Sequence, residues 1–232
     1  QELVYTNNSP DTIRRVFYHL YFNAFKPGSE MQISSSEIGD DKRSVSNKIL
    51  ALEEKDYGNI RVIELFQDGT LLSLKNQETI LEAALASPLL PGAKTTLSMR
   101  FEVSPPKEVR RAGKDNKDGV AFSMAQWYPK LSEYDKQGWH ANAYLGREFY
   151  GVWGDFDVTI NIDKEYTVAG TGYLKNPEKI GHGYAELKEP YVSKKLSWNF
   201  IAPNVHDFSW AADTNYIHDV VEVPNGPVIH LS

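Results

Sequence analysis

The sequence predicts an all-β fold, an antiparallel β-sandwich with one short helix near residues 44–56. Three observations point there. Several stretches alternate apolar and polar residues with period two, as a strand with one buried face does. Turn dipeptides punctuate the chain at short intervals, which suits many short antiparallel strands. Aromatic residues make up 12% of the 232 residues, a composition that favours strands.

Taken in chain order, Arg14–Leu20 is the first short strand candidate. Ser44–Asp56 is the best helix: Val45, Ile49 and Leu52 form one stripe, and Ser44 or Ser46 could cap it. Ile60–Phe66 reads as a strand. Thr79-Ile80-Leu81-Glu82 has capping-box spacing before Ala83, Ala84 and Leu85, which favours a short helix. It also lies between Asp68-Gly69 and Pro88–Gly92 in a meander of strands, and we expect a strand because tertiary context often overrides propensity. Thr95–Val103 places Leu97, Met99, Phe101 and Val103 on one face, and Thr96, Ser98, Arg100 and Glu102 on the other. Ser104–Asp118 is a Pro-led, charged stretch, expected to be the longest irregular and mobile piece. Asp155–Ile162 alternates through Phe156, Val158, Ile160 and Ile162, and Leu196–Ala202 through Leu196, Trp198, Phe200 and Ala202. Tyr166–Gly170 and Val228–Leu231 are shorter candidates. Pro27-Gly28, Asp68-Gly69, Pro91-Gly92, Asp118-Gly119 and Asn225-Gly226 read as turns.

The length suits one large all-β domain or two small ones. No repeat, low-complexity run or obvious second domain is visible, so a single domain over 1–232 is expected. The net charge of −6 argues against nucleic-acid binding, which needs a basic face. No apolar run approaches the length of a transmembrane helix. No signal peptide is legible, and Gln1 in place of an initiator Met reads as a processed or partial chain. The absence of cysteine removes disulfides, thiol catalysis and cysteine metal sites together.

The search for chemistry is mostly negative. None of His19, His140, His182, His206, His218 and His230 is followed by Glu, so there is no His-Glu-x-x-His helix. That motif puts two imidazoles on one helix face toward one zinc, with the Glu beside its water. His206-Asp207 and His218-Asp219 recur twelve residues apart; polar turn residues are the plainer reading than a metal site. His19 is expected to be a structural, hydrogen-bonded histidine. Gly170-Thr171-Gly172 and Gly181-His182-Gly183 lack phosphate-loop spacing, and no Gly-x-Ser-x-Gly elbow exists. Asp155 and Asp157 share the polar face of one strand, whereas a glycosidase pair must face across a cleft. No catalytic residue, metal ligand or cofactor site is therefore assigned to this chain.

An aromatic block remains. From Trp127 to Phe156 there are nine Trp, Tyr or Phe residues. Each can bury about 150–250 Å², so most should pack the core or a sheet face. A stacking platform for sugars is the alternative; the acidic balance argues against bases.

This block and four other stretches, in order, resemble the N-terminal domain of the aminopeptidase N-like zinc metallopeptidases. The stretches are Tyr5–Thr12 with His19-Leu20-Tyr21 and Asn23-Ala24-Phe25, then Pro88–Gly92 with the strand after it. Next come Gln126–Asp135 with Gly138-Trp139-His140 and Glu148-Phe149-Tyr150, and Asp157–Ile162 with Val168–Gly172. The last runs from Trp198-Asn199-Phe200 to Asp207–Ala212. The resemblance implies a saddle-shaped β-sandwich that precedes a catalytic domain in the same polypeptide. It departs at the ends, lacking the family's first strands, its Gly-x-Met-Glu-Asn-type substrate stretch and its zinc helix. Zinc is accordingly expected in the missing catalytic domain and a peptide as the substrate of the whole enzyme. This domain would then shape and cover the cleft. The family places a Gln-bearing turn of this domain at the active-site rim. The matching region is Phe122–Pro129, which makes Gln126 the substrate-cleft candidate, although Pro129-Lys130 stands where the family has Pro-Cys. A strand-end residue bonding backbone is the structural alternative for Gln126. Members of this branch are often exported, so a periplasmic or cell-surface location is expected. A free-standing sandwich that binds a glycan or protein partner is the second reading, with exposed Trp127, Trp139, Trp153 or Trp210 as its mark.

Overall fold

The computed structural model describes residues 1–37, 45–145, 150–226 and 228–231. The fold is mostly β, built from several antiparallel sheets with only short helices, in the all-β sandwich class. The chain forms two compact units, 1–113 with 126–152, and 114–125 with 153–232.

The first unit holds two four-stranded sheets. One is ordered Glu2–Thr6, Lys94–Ser104, Asn59–Gln67, Thr70–Leu71, and the other Lys130–Leu131, Ile13–His19, Ile80–Leu89, Leu74–Gln77. The alternation read in Thr95–Val103 is real: Leu97 and Met99 are buried and Arg100 is exposed. Asp68-Gly69 turns with φ +47° and +83°, both left-handed, as the tight hairpin between Asn59–Gln67 and Thr70–Leu71 needs. Buried amides tie the sheets where the backbone ladder cannot. Gln67 Nε2 donates to Ser87 O at 2.9 Å, and Ser87 N donates to Gln67 Oε1 at 3.0 Å, joining strands of different sheets. Asn23 Nδ2 donates to Glu78 O at 2.9 Å and its Oδ1 accepts from Ile60 N at 2.6 Å. Asn7, fully buried, donates to the carbonyls of Asp11 and Leu89. The Asn-rich opening is thus a set of backbone clamps for groups that would otherwise be buried unpaired.

Ile80–Leu89 is a strand, as expected. Glu82 lies opposite Phe17, and its carboxylate meets Arg15 at 2.9 Å on the neighbouring strand, so the capping-box spacing does not make a cap. The helix near 44–56 is shorter than its stripe suggested, Ser46–Leu50 with a 3-10 turn at Glu54–Asp56. Ser46 is its first helical residue, and Val45, whose side chain cannot cap, stands before it; Ser44 lies outside the described residues. A second helix, Glu30–Ser36, was not expected. Ser29 caps it by accepting from Gln32 N at 3.1 Å.

Ser104–Asp118 is more ordered than a charged loop suggests. Val109 and Ala112 are buried and form an antiparallel bridge. At Gly113 (φ +144°) a side chain would stand 2.5 Å from the carbonyl of Pro106. The Pro-led start and the glycine make a tight fold-back whose apolar residues turn inward.

In the second unit, Gly154–Asp163, Lys195–Val205 and Tyr173–Leu174 form one sheet in that order. Leu196, Trp198, Phe200 and Ala202 are all buried on one face. The opposite face is a polar ladder: Asn199 Nδ2 donates to Asp157 Oδ1 at 2.6 Å, and Ser197 Oγ to Asn161 Oδ1 at 2.5 Å. A second sheet joins Thr167–Gly170, Trp210–Asp213 and Phe122–Met124. Asp219–Glu222 and Val228–Leu231 form a separate two-stranded ribbon.

Candidate functional site

Gln126 belongs to the first unit, where the chain re-enters it. It sits in a bend with φ +58°, a left-handed conformation uncommon for a residue with a side chain. It is only 4% exposed. Its Oε1 accepts from the Tyr144 hydroxyl at 3.3 Å, and that hydroxyl accepts from Arg110 Nη1 at 3.1 Å. The order of donation is fixed by chemistry. Arginine can only donate, so the tyrosine proton is left for the glutamine oxygen. Gln126 Nε2 is therefore the free end of the amide, buried and without a hydrogen-bond partner among the described residues.

Tyr144 is held independently. Its backbone N donates to Thr79 Oγ1 at 3.1 Å, and its ring meets Tyr21 edge-on at 4.9 Å and Phe25 at 6.3 Å. The stretch holding His19-Leu20-Tyr21 and Phe25 thus forms the wall behind this column. Among the described residues the Gln126 side chain bonds a side chain, the Tyr144 hydroxyl. Neither Arg110 nor Tyr144 was singled out from sequence. Arg110 stood in a stretch read as loop, although its own φ of +65° marks a tight turn. Replacing Tyr144 with Phe should cost about 1–3 kcal/mol, because it leaves Gln126 Oε1 and the Arg110 donor without their shared hydroxyl. A urea unfolding midpoint equal to that of the parent would contradict this.

Beside this column lies a buried basic pair. Lys130 is 4% exposed, and its Nζ approaches the Tyr128 hydroxyl at 3.5 Å. His19 is 5% exposed and stacks on Tyr21 at 5.2 Å. Burial, with the charge of Lys130 adding, pushes His19 down to about 4 against the opposing pull of the His140 backbone. The unfolded chain then binds a proton more readily than the folded one. Stability from neutral His19 is complete above its ordinary value of 6.5 and is lost as pH falls from there toward 4. The window corresponds to roughly 3 kcal/mol. His19→Gln should shrink the difference in unfolding free energy between pH 7.5 and pH 4.5 by about that amount; an unchanged difference would refute the assignment.

The aromatic block serves mostly as packing. Trp139 contacts Phe17 at 5.7 Å and Tyr134 at 5.1 Å, and Trp127 contacts Phe101 at 6.4 Å. Tyr128 and Tyr144 are buried. Glu148 and Phe149 lie outside the described residues. Trp153, in the second unit, is 62% exposed, with its ring 5.4 Å from His206. Trp127, Trp139 and Trp210 are half-buried.

Among the described residues no group of three or more His, Asp or Glu could hold a metal. His206 lies against Trp153, whereas His218 stacks on Tyr184 at 3.7 Å, so the two His-Asp pairs serve separate places. His182 bridges Thr167 Oγ1 and Lys164 O at 2.8 and 2.9 Å. The donors of the described residues therefore do not fit a zinc site. No helix among the described residues is long and apolar enough to cross a membrane.

No family model matches the sequence, and no curated protein matches it. Solved structures do match the fold. One is a mutant M1 zinc metallopeptidase from Deinococcus radiodurans with a Tyr-Ser-Ala substrate bound, at TM-score 0.50 and 12% identity. Another is a two-domain M1 zinc metallopeptidase mutant bound to L-arginine, at TM-score 0.50 and 11% identity. In each case the match covers 99% of this chain and 41% of the other. At such identities the likeness is one of fold: this chain has the β architecture found in about two fifths of an M1 zinc metallopeptidase.

Proposed function

We propose that this chain is the non-catalytic N-terminal β domain of a longer zinc metallopeptidase of the aminopeptidase type. One observation carries the reading. The fold matches two fifths of such enzymes over 99% of this chain, while the chain itself has no His-Glu-x-x-His and no metal cluster among its described residues. The two compact units then count as one domain, 1–232. A catalytic domain in the same polypeptide would hold zinc through residues outside this sequence and remove N-terminal residues from a peptide substrate. This chain takes no part in bond breaking. It shapes and covers the cleft, with Gln126 at the rim. The column from Arg110 through Tyr144 supports that role by fixing which way the amide points. Export to the periplasm or cell surface goes with the same reading and is supported by the resemblance alone.

The test is the size of the native polypeptide, by immunoblot of source cells with an antibody to this chain. A band far above 26.3 kDa, binding zinc and releasing amino acids from aminoacyl reporters, is expected. The isolated chain should bind no stoichiometric zinc and release nothing; either activity in it would overturn the reading.

A second reading, a free-standing module for a glycan, is favoured by the exposed Trp153 beside His206. It requires a native band at 26.3 kDa and tryptophan quenching by oligosaccharide that is lost in Trp153→Ala.

A further inference from the structure

The ribbon Asp219–Glu222/Val228–Leu231 is held in an unusual way. All eight of its residues are exposed, and Val220, Val221, Ile229 and Leu231 remain 41–50% exposed. Burial of apolar surface therefore does little to hold it, and an isolated two-stranded ribbon is marginal in water. Its anchor is a stack of rings. Tyr184 lies 3.7 Å from His218 and 5.9 Å from His230, with the three rings within 29° of parallel. Tyr184 is itself pinned, its hydroxyl donating to the carbonyl of the buried Val168 at 3.0 Å. His218 is 8% exposed, and His230 reaches it from the second strand, Nδ1 to Nε2 at 2.9 Å.

We propose that this ribbon is a latch, closed by the His218–His230 hydrogen bond that ties its second strand to the Tyr184-stacked His218, and released by acid. The bond needs one imidazole nitrogen to accept while the other donates. With both rings protonated there is no acceptor, and two cations stand at hydrogen-bond distance. The groups facing the pair do not cancel this. Asp219, next in the chain, accepts from Val220 N at 2.9 Å and keeps its charge, but its pull toward the protonated ring is smaller than the opposing effect of burial. Tyr184 presents its ring, with its hydroxyl turned to Val168. The backbone at Gly183 closes on His218, so closely that a side chain there would stand 2.8 Å from the His218 carbonyl. Burial, with the His230 charge adding, holds His218 below the usual imidazole range, while the Gly183 backbone and Asp219 pull the other way. A group lowered in the closed state stabilises closure above its ordinary value and loses that contribution as pH falls through the imidazole range. Acid would thus free a ribbon with apolar side chains and open strand edges. This inference does not depend on the peptidase reading.

The test is amide hydrogen exchange of this chain by NMR from pH 7.5 to pH 5, corrected for intrinsic rates. Protection of Val221 and Ile229, paired across the ribbon, should fall about tenfold per pH unit for one proton taken up on opening. Protection in Lys195–Val205 should hold. His218→Phe keeps a ring on Tyr184 without a titrating group, and its ribbon should show no acid step. Ribbon protection that stays constant in the parent, that falls in step with Lys195–Val205, or that falls equally in His218→Phe would overturn the proposal. If His218→Phe does not fold, the parent titration decides alone.

Discussion

Trp198→Ala is expected to destabilise the second unit by about 3–5 kcal/mol, the range for truncating a large aromatic in a core. Trp198 is 0% exposed, within Lys195–Val205 and opposite Ile160. Its ring lies parallel to Phe200 at 6.4 Å, with His182 at 5.5 Å and Tyr184 edge-on at 5.7 Å. Its indole nitrogen is buried without a hydrogen-bond partner among the described residues, so its contribution comes from packing alone. Two consequences separate this from a general intolerance of substitution. Trp198→Phe should lose much less than the alanine variant, because it retains most of the packing and removes a buried, unpaired donor. The loss should also appear in hydrogen exchange of Gly154–Asp163 and Lys195–Val205 before it appears in Lys94–Ser104 of the first unit. A loss under about 1 kcal/mol for Trp198→Ala would show that this packing is not what holds the unit together.

Gly172→Ala is expected to cost about 3 kcal/mol or more, or to leave little folded protein. Gly172 has φ +87°, in the left-handed region that favours glycine. Strain of that kind alone costs about 1–2 kcal/mol. The larger part is steric. A side-chain carbon at Gly172 would collide with the Ile201 carbonyl and stand 2.8 Å from the Ala202 Cα on the neighbouring strand. Those atoms are backbone and cannot step aside without breaking the pairing of Tyr173 with Ile201. Gly119→Ala is the control. Gly119 has nearly the same φ, +88°, but no atom lies within 4 Å of where a side chain would go. Its alanine variant should lose only the strain, so equal losses at the two positions would refute the steric account. Thermal unfolding of both variants under one buffer suffices.

The sequence by itself determined the fold class and most strand positions. In Leu196–Ala202 and Thr95–Val103 the period-two pattern was legible because a strand's burial alternates residue by residue, and the pattern survives whatever partner covers it. The turn at Asp68-Gly69 was legible for a local reason too, since left-handed backbone selects its residues. The absence of the zinc-helix motif needs no structure at all. Other features depended on neighbours distant in the chain. Glu82 satisfies a capping pattern, yet its segment is a strand because Ile13–His19 and Leu74–Gln77 pair with it on both sides. Helix Glu30–Ser36 is not legible in the sequence although Ser29 caps it, because its apolar stripe is weak: Met31 is buried while Ile33 is 53% exposed.

The candidate site divides in the same way. The resemblance named Gln126, but its partner Tyr144 is held by Arg110, Thr79 and Tyr21, residues distant in the chain that meet only once the first unit has folded. Which end of the Gln126 amide stays free follows from a hydroxyl and a guanidinium that meet in space. The His218–His230 pair was visible as two histidines twelve residues apart, and only the register of the ribbon put nitrogen against nitrogen. Alternation and turn chemistry are written in neighbouring residues. Burial of a polar group, its partner and its proton are settled by long-range contacts, and these exist only once the chain has folded.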